Sequence, residues 1–282
     1  MELMFPVTLG QSQKLKPDKI FELKKLLKFM GSVLIAFSGG VDSSFLASVA
    51  HEVLGDRSLA VTADSALYTE LEEARKIAKE IGIQHKVFVS DELSIPKFSN
   101  NPVNRCYYCK QELFSKLWTI AERNGYDYVV DGTNYEDLDD YRPGVKAGIE
   151  LNVRSPLKEV KLTKQEIREL SRDRQLSTWD KPSMACLASR FPYGSALTQE
   201  RLLKVERAEK FLRRIGFSQL RVRDHGDLAR LEVLSNEMSF LSKDLMRKKI
   251  VNELNTLGYT YVTVDIKGYR TGSMNEQLEK RP

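Results

Sequence analysis

Seven consecutive residues, Ser38-Gly39-Gly40-Val41-Asp42-Ser43-Ser44, join two glycines, three hydroxyls and a carboxylate between an apolar run and a helical pattern. Residues of these types, so placed, bind anions. The glycines let the backbone turn tightly and approach a ligand without Cβ clashes. The amides that open the next helix, together with its dipole, favour a phosphate, and Ser38, Ser43 and Ser44 add hydroxyl donors. The loop lacks the lysine of the GxxxxGKS phosphate loop, which disfavours kinase-type or GTPase-type transfer of the terminal phosphate. Thr62-Ala63-Asp64-Ser65 and Asp131-Gly132-Thr133-Asn134 end two later strand-like runs. Nucleotides bind outside the carboxyl ends of parallel strands, so Thr62, Asp64, Gly132 and Thr133 are candidates for the nucleoside.

A second set of groups is soft. The chain has three cysteines, Cys106, Cys109 and Cys186. An odd, small number argues against a disulfide framework, and three is one short of a closed all-thiolate zinc site. Cys106 and Cys109 stand in a C-x-x-C turn, close enough to serve one centre together. A third set is basic: Arg221 and Arg223 alternate on a predicted strand and so face the same way. Such a pair suits a phosphate, although two solvated arginines on an exposed strand face would read the same.

The elements that must position these groups follow from the apolar pattern. Helical spacing predicts helices over 18–29, 43–53, 71–81, 111–124 and 164–174, and short apolar runs predict strands over 33–37, 59–62, 86–89 and 128–131. Strands separated by helices imply a parallel sheet with right-handed crossovers. After Phe191-Pro192-Tyr193-Gly194 the order changes to helix (199–215), two strands (220–223 and 229–234), helix (237–257) and a last strand (260–264). This predicts an α/β chain with a parallel-sheet domain over 1–190 and a smaller α+β C-terminal domain over 191–282, its sheet antiparallel. The polar segment from Gly268 onward is expected to be loosely ordered.

Composition limits the partners. The chain has 282 residues, 44 basic against 39 acidic, for a formal charge of +5. So small an excess suits an anionic small molecule better than nucleic acid, which calls for a dense basic stripe. The apolar runs fall far short of the ~20 residues of a membrane helix, and no charged-then-apolar leader opens the sequence. A cytoplasmic location without membrane attachment is expected.

The loop Ser38 to Ser44 resembles the PP-loop of the ATP pyrophosphatases, the adenine nucleotide alpha hydrolase-like enzymes that hold the pyrophosphate of ATP while a substrate oxygen attacks the α-phosphorus. The resemblance implies ATP contacts from Ser38, Gly39, Gly40, Asp42, Ser43 and Ser44, with Asp42 aiding magnesium. A narrower resemblance, to the LarE-type sulfur transferases of nickel-pincer cofactor biosynthesis, rests on six segments. These are the loop itself; Asn104-Arg105-Cys106-Tyr107-Tyr108-Cys109-Lys110; Gly132-Thr133-Asn134 with Asp137 and Tyr141-Arg142-Pro143-Gly144; Arg154-Ser155-Pro156-Leu157; the run from Trp179 through Cys186-Leu187-Ala188-Ser189-Arg190 to Gly194; and Arg221-Val222-Arg223 with His225-Gly226. It implies that a carboxylate of a pyridinium dicarboxylate mononucleotide is adenylated and that sulfur then displaces AMP, with Arg221 and Arg223 on the substrate phosphate.

Two sulfur sources follow from the same resemblance. Cys106, Cys109 and Cys186 hold a 4Fe-4S cluster carrying an extra sulfide, or Cys186 surrenders its own sulfur and becomes dehydroalanine. Arg190 would stabilise charge on the adenylate and Glu206 would orient substrate or catalytic groups. The expected partners are the mononucleotide, a sulfide or other sulfur donor, and further copies of the chain, with the C-terminal domain serving substrate binding and oligomerisation. The competing reading is a PP-loop tRNA thiolase, against which stand the small charge excess and the lack of an appended RNA-binding module or flanking zinc pairs.

Overall fold

The apolar runs of the first 130 residues become one parallel sheet, in which the inner strands are covered on both faces and the edge strand Gln84–Val89 keeps exposed residues. The computed structural model describes residues 12–68, 70–138, 143–182, 185–270 and 272–276. Tyr141, Arg142, Ser183 and Met184 of the motifs above lie outside the described residues. In chain order the elements begin α1 (Ser12–Met30), β1 (Val33–Ala36), α2 (Val41–Leu54), β2 (Ser58–Asp64), α3 (Leu71–Ile81) and β3 (Gln84–Val89). Next come α4 (Pro96–Ser99), α5 (Arg105–Asn124), β4 (Tyr128–Val130), α6 (Pro143–Glu150), α7 (Pro156–Glu159) and α8 (Lys164–Asp173). The last are α9 (Gln199–Arg214), β5 (Leu220–Asp224), β6 (Leu228–Val233), α10 (Met238–Leu241), α11 (Asp244–Thr256) and β7 (Tyr261–Val264). Among the described residues no helix is long and apolar enough to cross a membrane.

Two units share the chain. The first comprises residues 1–64, 70–90 and 106–184, and the second 65–69, 91–105 and 185–282. In the first, the strand order is β3-β2-β1-β4, all parallel. Alternation along each strand divides the core. Val33, Ile35, Ala60 and Val130 face a cluster with Leu23 and Leu27 of α1 and Phe45 and Leu46 of α2. Leu34, Leu59, Val61 and Val129 face Phe114, Leu117 and Ala121 of α5. Each aliphatic side chain so buried stabilises the unit by about 1.5–3 kcal/mol. The chain runs outward from β1 through β2 to β3 and then returns to place β4 on the other flank of β1. That reversal makes a crevice beyond the carboxyl ends of β1 and β4, where open α/β sheets take their ligands.

The second unit carries the three-stranded sheet β5-β6-β7. β5 and β6 pair antiparallel, as expected, but β7 runs parallel to β6. The expectation of a wholly antiparallel sheet is corrected, and the reason is the connection. The α11 crossover between β6 and β7 returns the chain to the starting end of β6, as a tight hairpin cannot. The single helix expected over 237–257 is interrupted, since Lys243 is extended (φ −69°, ψ 125°) and separates α10 from α11. Of the segment after Gly268, expected to be loose, the described residues are held: the Tyr269 amide donates to the Val233 carbonyl at 2.8 Å, and Arg270 pairs with Glu276 at 2.8 Å, while 271 and 277–282 lie outside the described residues. Residues 91–105 also belong here, with the Leu197 amide bonded to the Ser99 carbonyl and the Gly194 amide to the Asn101 carbonyl.

Candidate active site

The phosphate loop occupies the crevice between β1 and β4. Gly39 has φ +68°, and a Cβ there would lie 3.0 Å from the Ala74 Cα, so glycine is required both by conformation and by space. Gly40 caps α2 in an extended conformation with no side-chain cap, and the Ser44 amide makes the first helical bond, to the Gly40 carbonyl. The preceding amides of Val41, Asp42 and Ser43 therefore lack intrahelical acceptors and are available to an anion. Ser38 and Ser43 are tied through their hydroxyls at 3.1 Å, and the Ser43 hydroxyl also reaches the Gly40 carbonyl at 3.2 Å. Gly132 completes the cradle. A Cβ on it would stand 2.8 Å from the Ser43 nitrogen, so the loop after β4 approaches the helix start as closely as backbone permits.

The nucleoside candidates divide. The Thr62 hydroxyl, on β2, bonds the Phe37 carbonyl and His85 Nε2, both at 2.8 Å, so it braces the loop entrance. Burial holds His85 below its usual pKa, with the charge of Arg75 adding to the effect, which keeps the ring neutral at this contact. Asp64 is exposed at the end of β2. The Thr133 hydroxyl donates to Asp131, which also accepts from Ser155 at 2.7 Å, and these bonds fix the turn that carries Gly132.

Two lysines that loop spacing does not reveal also reach this site. Lys164, at the start of α8, pairs with Asp42 Oδ2. Lys181 donates to the Gly39 carbonyl at 3.3 Å and pairs with Glu70 and Glu73. Arg168 of α8 holds the segment in place by bonding the carbonyls of Trp179 and Lys181. The other oxygen of Asp42, Oδ1, is buried without a hydrogen-bond partner among the described residues.

The cysteines fall in both units. Cys106 and Cys109 are the second and fifth residues of α5, which begins six residues before the predicted helix, so the C-x-x-C is helical and not a turn. Three residues apart, they share one helix face. Cys106 is exposed and Cys109 buried, and Cys186 is half-buried in the second unit. Among the described residues no group of three or more His, Cys, Asp or Glu side chains is arranged to hold a metal ion.

The second unit buries Arg190, Arg221 and Arg223. Arg190, 1% exposed, makes a two-pronged pair with Glu209 of α9 at 2.8 and 3.0 Å. Its remaining nitrogen donates to the carbonyls of Ala185 and Cys186 and to the Ser189 hydroxyl. Burial would raise the Glu209 carboxyl, but the charge and hydrogen bonds of Arg190, with the Val222 amide and Arg213, outweigh it and hold the pKa below the usual range. Glu206, one turn earlier, pairs with the exposed Lys210. On β5, Arg223 is paired with Glu232 at 2.8 and 2.9 Å and also bonds Ser273. Arg221 faces the same way but has no carboxylate partner among the described residues. It donates to the Leu220 carbonyl at 2.8 Å and stacks 5.1 Å from the centroid of the Tyr269 ring. Burial, with the nearby charge of Arg190, lowers its pKa.

The asparagine synthase family matches residues 23–99, which hold the phosphate loop and the strands around it. Pyridinium-3,5-bisthiocarboxylic acid mononucleotide synthase of Lactiplantibacillus plantarum is 40% identical over 258 residues, covering 90% of this chain and 92% of its own length. The chain belongs to the LarE-type sulfur transferase family. It is an ATP-dependent sulfurtransferase built on a PP-loop domain. An uncharacterised protein of Synechocystis is 44% identical over 264 residues, covering 92% of this chain and 98% of its own. A glutamine-hydrolysing GMP synthase chain of Archaeoglobus fulgidus is 31% identical over 173 residues, or 57% of this chain and 56% of its own.

In this LarE-type chain the structure gathers Ser38, Gly39, Gly40, Asp42, Ser43, Ser44, Gly132 and Thr133 around one helix start. Lys164 and Lys181 join them from more than 100 residues away, so no local spacing announces them. In the second unit Arg190, Arg221 and Arg223 share a buried network to which Glu209 and Glu232 contribute. The signal for Glu209 is its place on the apolar face of α9 with Val205, Ala208 and Leu212, where a carboxylate must be paired.

Proposed function

We propose that this sulfurtransferase adenylates a carboxylate of a pyridinium dicarboxylate mononucleotide with ATP and then replaces AMP with sulfur, forming a thiocarboxylate. The observation that carries the reading is the 40% identity to the bisthiocarboxylate mononucleotide synthase, which extends through both units. A carboxylate resists nucleophiles, whereas an acyl adenylate offers a good leaving group and a reactive carbonyl, and sulfur is a strong nucleophile at neutral pH. The amides of Val41, Asp42 and Ser43 would hold the leaving pyrophosphate. Asp42 Oδ1, a buried carboxylate oxygen without a partner, suits a hard cation such as magnesium. Arg221, a buried cation without a carboxylate, would take the substrate phosphate with Arg223, and Arg190 would position the Cys186 segment through the carbonyls it binds.

For the sulfur source we propose the cluster, with Cys106, Cys109 and Cys186 as its ligands. The donor chemistry supports it, since three thiolates leave one iron of a 4Fe-4S cluster open. The two-thiolate face of α5 supplies the local half of the set. When bound, such a cluster would present sulfide as the nucleophile. ATP consumption dependent on the pyridinium mononucleotide should yield AMP and pyrophosphate; ADP and phosphate as main products would defeat the reading. Anaerobic reconstitution followed by iron and sulfide analysis tests the source. If Cys186 is instead sacrificed, mass spectrometry after one turnover will find dehydroalanine at 186 with iron absent.

A further inference from the structure

Arg105 is the first residue of α5 and the last of the 91–105 segment of the second unit. It is 6% exposed, yet among the described residues no carboxylate pairs with it. Nη2 donates to the Met274 sulfur at 3.3 Å, and Nη1 is buried without a hydrogen-bond partner among the described residues. The guanidinium lies 5.0 Å from the centroid of the Tyr193 ring. A thioether is a weak acceptor, and a buried charge without a counter-charge is a standing cost to the fold. Arg190 and Arg223 of the same unit, buried to the same degree, each have a glutamate. Arg105 is left without one.

The groups on its guanidinium, the Met274 sulfur and the Tyr193 ring, are neutral, and Met274 belongs to a short stretch of the C-terminal segment whose neighbours touch related residues. Met274 contacts Arg105, Asn275 accepts from the Tyr193 hydroxyl at 3.0 Å, and the preceding residue, Ser273, bonds Arg223 at 2.6 Å. Consecutive residues therefore touch both Arg105 and an arginine assigned above to the substrate phosphate. Packing alone does not explain the charge, because a methionine or leucine at 105 would fill the volume without leaving an orphaned donor.

We infer that Arg105 is a further anion-binding residue of the second unit, its guanidinium taking a carboxylate or phosphate oxygen of the substrate at the position where Met274 now stands. The inference rests on the reading that the substrate is an anionic mononucleotide. A planar guanidinium with one nitrogen unbonded and another on a weak acceptor is ready for two-pronged binding of an oxyanion, and the Met274 side chain is a displaceable placeholder.

The test is calorimetric titration of the full chain with pyridine-3,5-dicarboxylate and, separately, with ribose 5-phosphate, alongside thermal unfolding. Wild-type protein should bind at least one fragment, and Arg105→Gln should weaken it roughly 10- to 100-fold, the usual worth of a charged hydrogen bond. The fragment that loses affinity identifies the oxyanion. ATP affinity should be unchanged and the unfolding midpoint equal or higher, because an unpaired buried charge has been removed. Met274→Ala should bind the fragment as well as wild type or better. Failure of wild type to bind either fragment, unchanged affinity in Arg105→Gln, weaker fragment binding in Met274→Ala, or a lower midpoint in Arg105→Gln would each overturn the assignment. Fragment binding requires no turnover, so a failure of the adenylation reading would leave this result standing.

Discussion

Glu209→Gln should loosen the second unit far more than an ordinary charge deletion. The wild-type carboxylate is 2% exposed and accepts from Arg190 at 2.8 and 3.0 Å, from Arg213 at 3.0 Å and from the Val222 amide at 3.1 Å. The amide side chain removes the countercharge but leaves the Arg190 guanidinium in the core. Breaking a buried pair from one side costs about 3–5 kcal/mol, because the remaining charge is uncompensated. At 1.36 kcal/mol per factor of ten, that equals roughly two to almost four powers of ten in the opening equilibrium. Amide hydrogen exchange of peptides from α9 and β5, read by mass spectrometry at neutral pH, should accelerate by that factor. Arg190→Met with Glu209→Leu should recover most of the protection, since matched apolar replacement of a buried pair is often neutral.

The same pair sets a pH dependence. The Glu209 pKa is lowered on folding from an ordinary value near 4.5, so its stabilisation is present above that value and is lost as pH falls through the folded one. The gap between wild type and Glu209→Gln should hold at neutral pH and close below about 4.5. A single-mutant acceleration under tenfold, or a gap that persists unchanged in acid, would refute the argument.

Asp42→Asn should abolish mononucleotide-dependent AMP release while costing at most about 1 kcal/mol of stability, because the Lys164 pair it breaks is partly exposed; product chromatography and thermal unfolding check both halves. Gly132→Ala, whose Cβ would sit 2.8 Å from the Ser43 nitrogen, should shift the helix start and lower AMP formation about a hundredfold, and an unchanged rate would place the phosphates elsewhere. Arg221→Ala should weaken mononucleotide binding by about 1.5–3 kcal/mol and leave ATP binding intact by calorimetry; equal losses for both ligands would remove it from the substrate site.

Local chemistry made much of the first unit legible. An apolar run, a Gly-Gly turn and a helical pattern over 33–54 specify strand, loop and helix by short-range sterics and periodicity, and the phosphate loop lies where they place it. Arg221 and Arg223 share a face because the strand period is two, which holds whatever covers that face. What covers it is a long-range matter. Strand pairing sets Glu232 opposite Arg221 and Arg230 opposite Arg223, yet the Glu232 side chain turns diagonally to Arg223, and that Tyr269 and Ser273 close over the two arginines follows from the path of the chain after β7. The parallel run of β7 escapes local patterning for the same reason, since strand direction depends on where a crossover helix packs. Lys164 and Lys181 meet the phosphate loop, and residues 91–105 fold with the C-terminal part, through contacts between segments far apart in sequence. The three cysteines show the division most plainly. Their number and the C-x-x-C spacing are written in the chain, but the helical face shared by Cys106 and Cys109 and the membership of Cys186 in the other unit were decided only by tertiary packing, because burial and unit boundaries depend on contacts that sequence neighbours do not make.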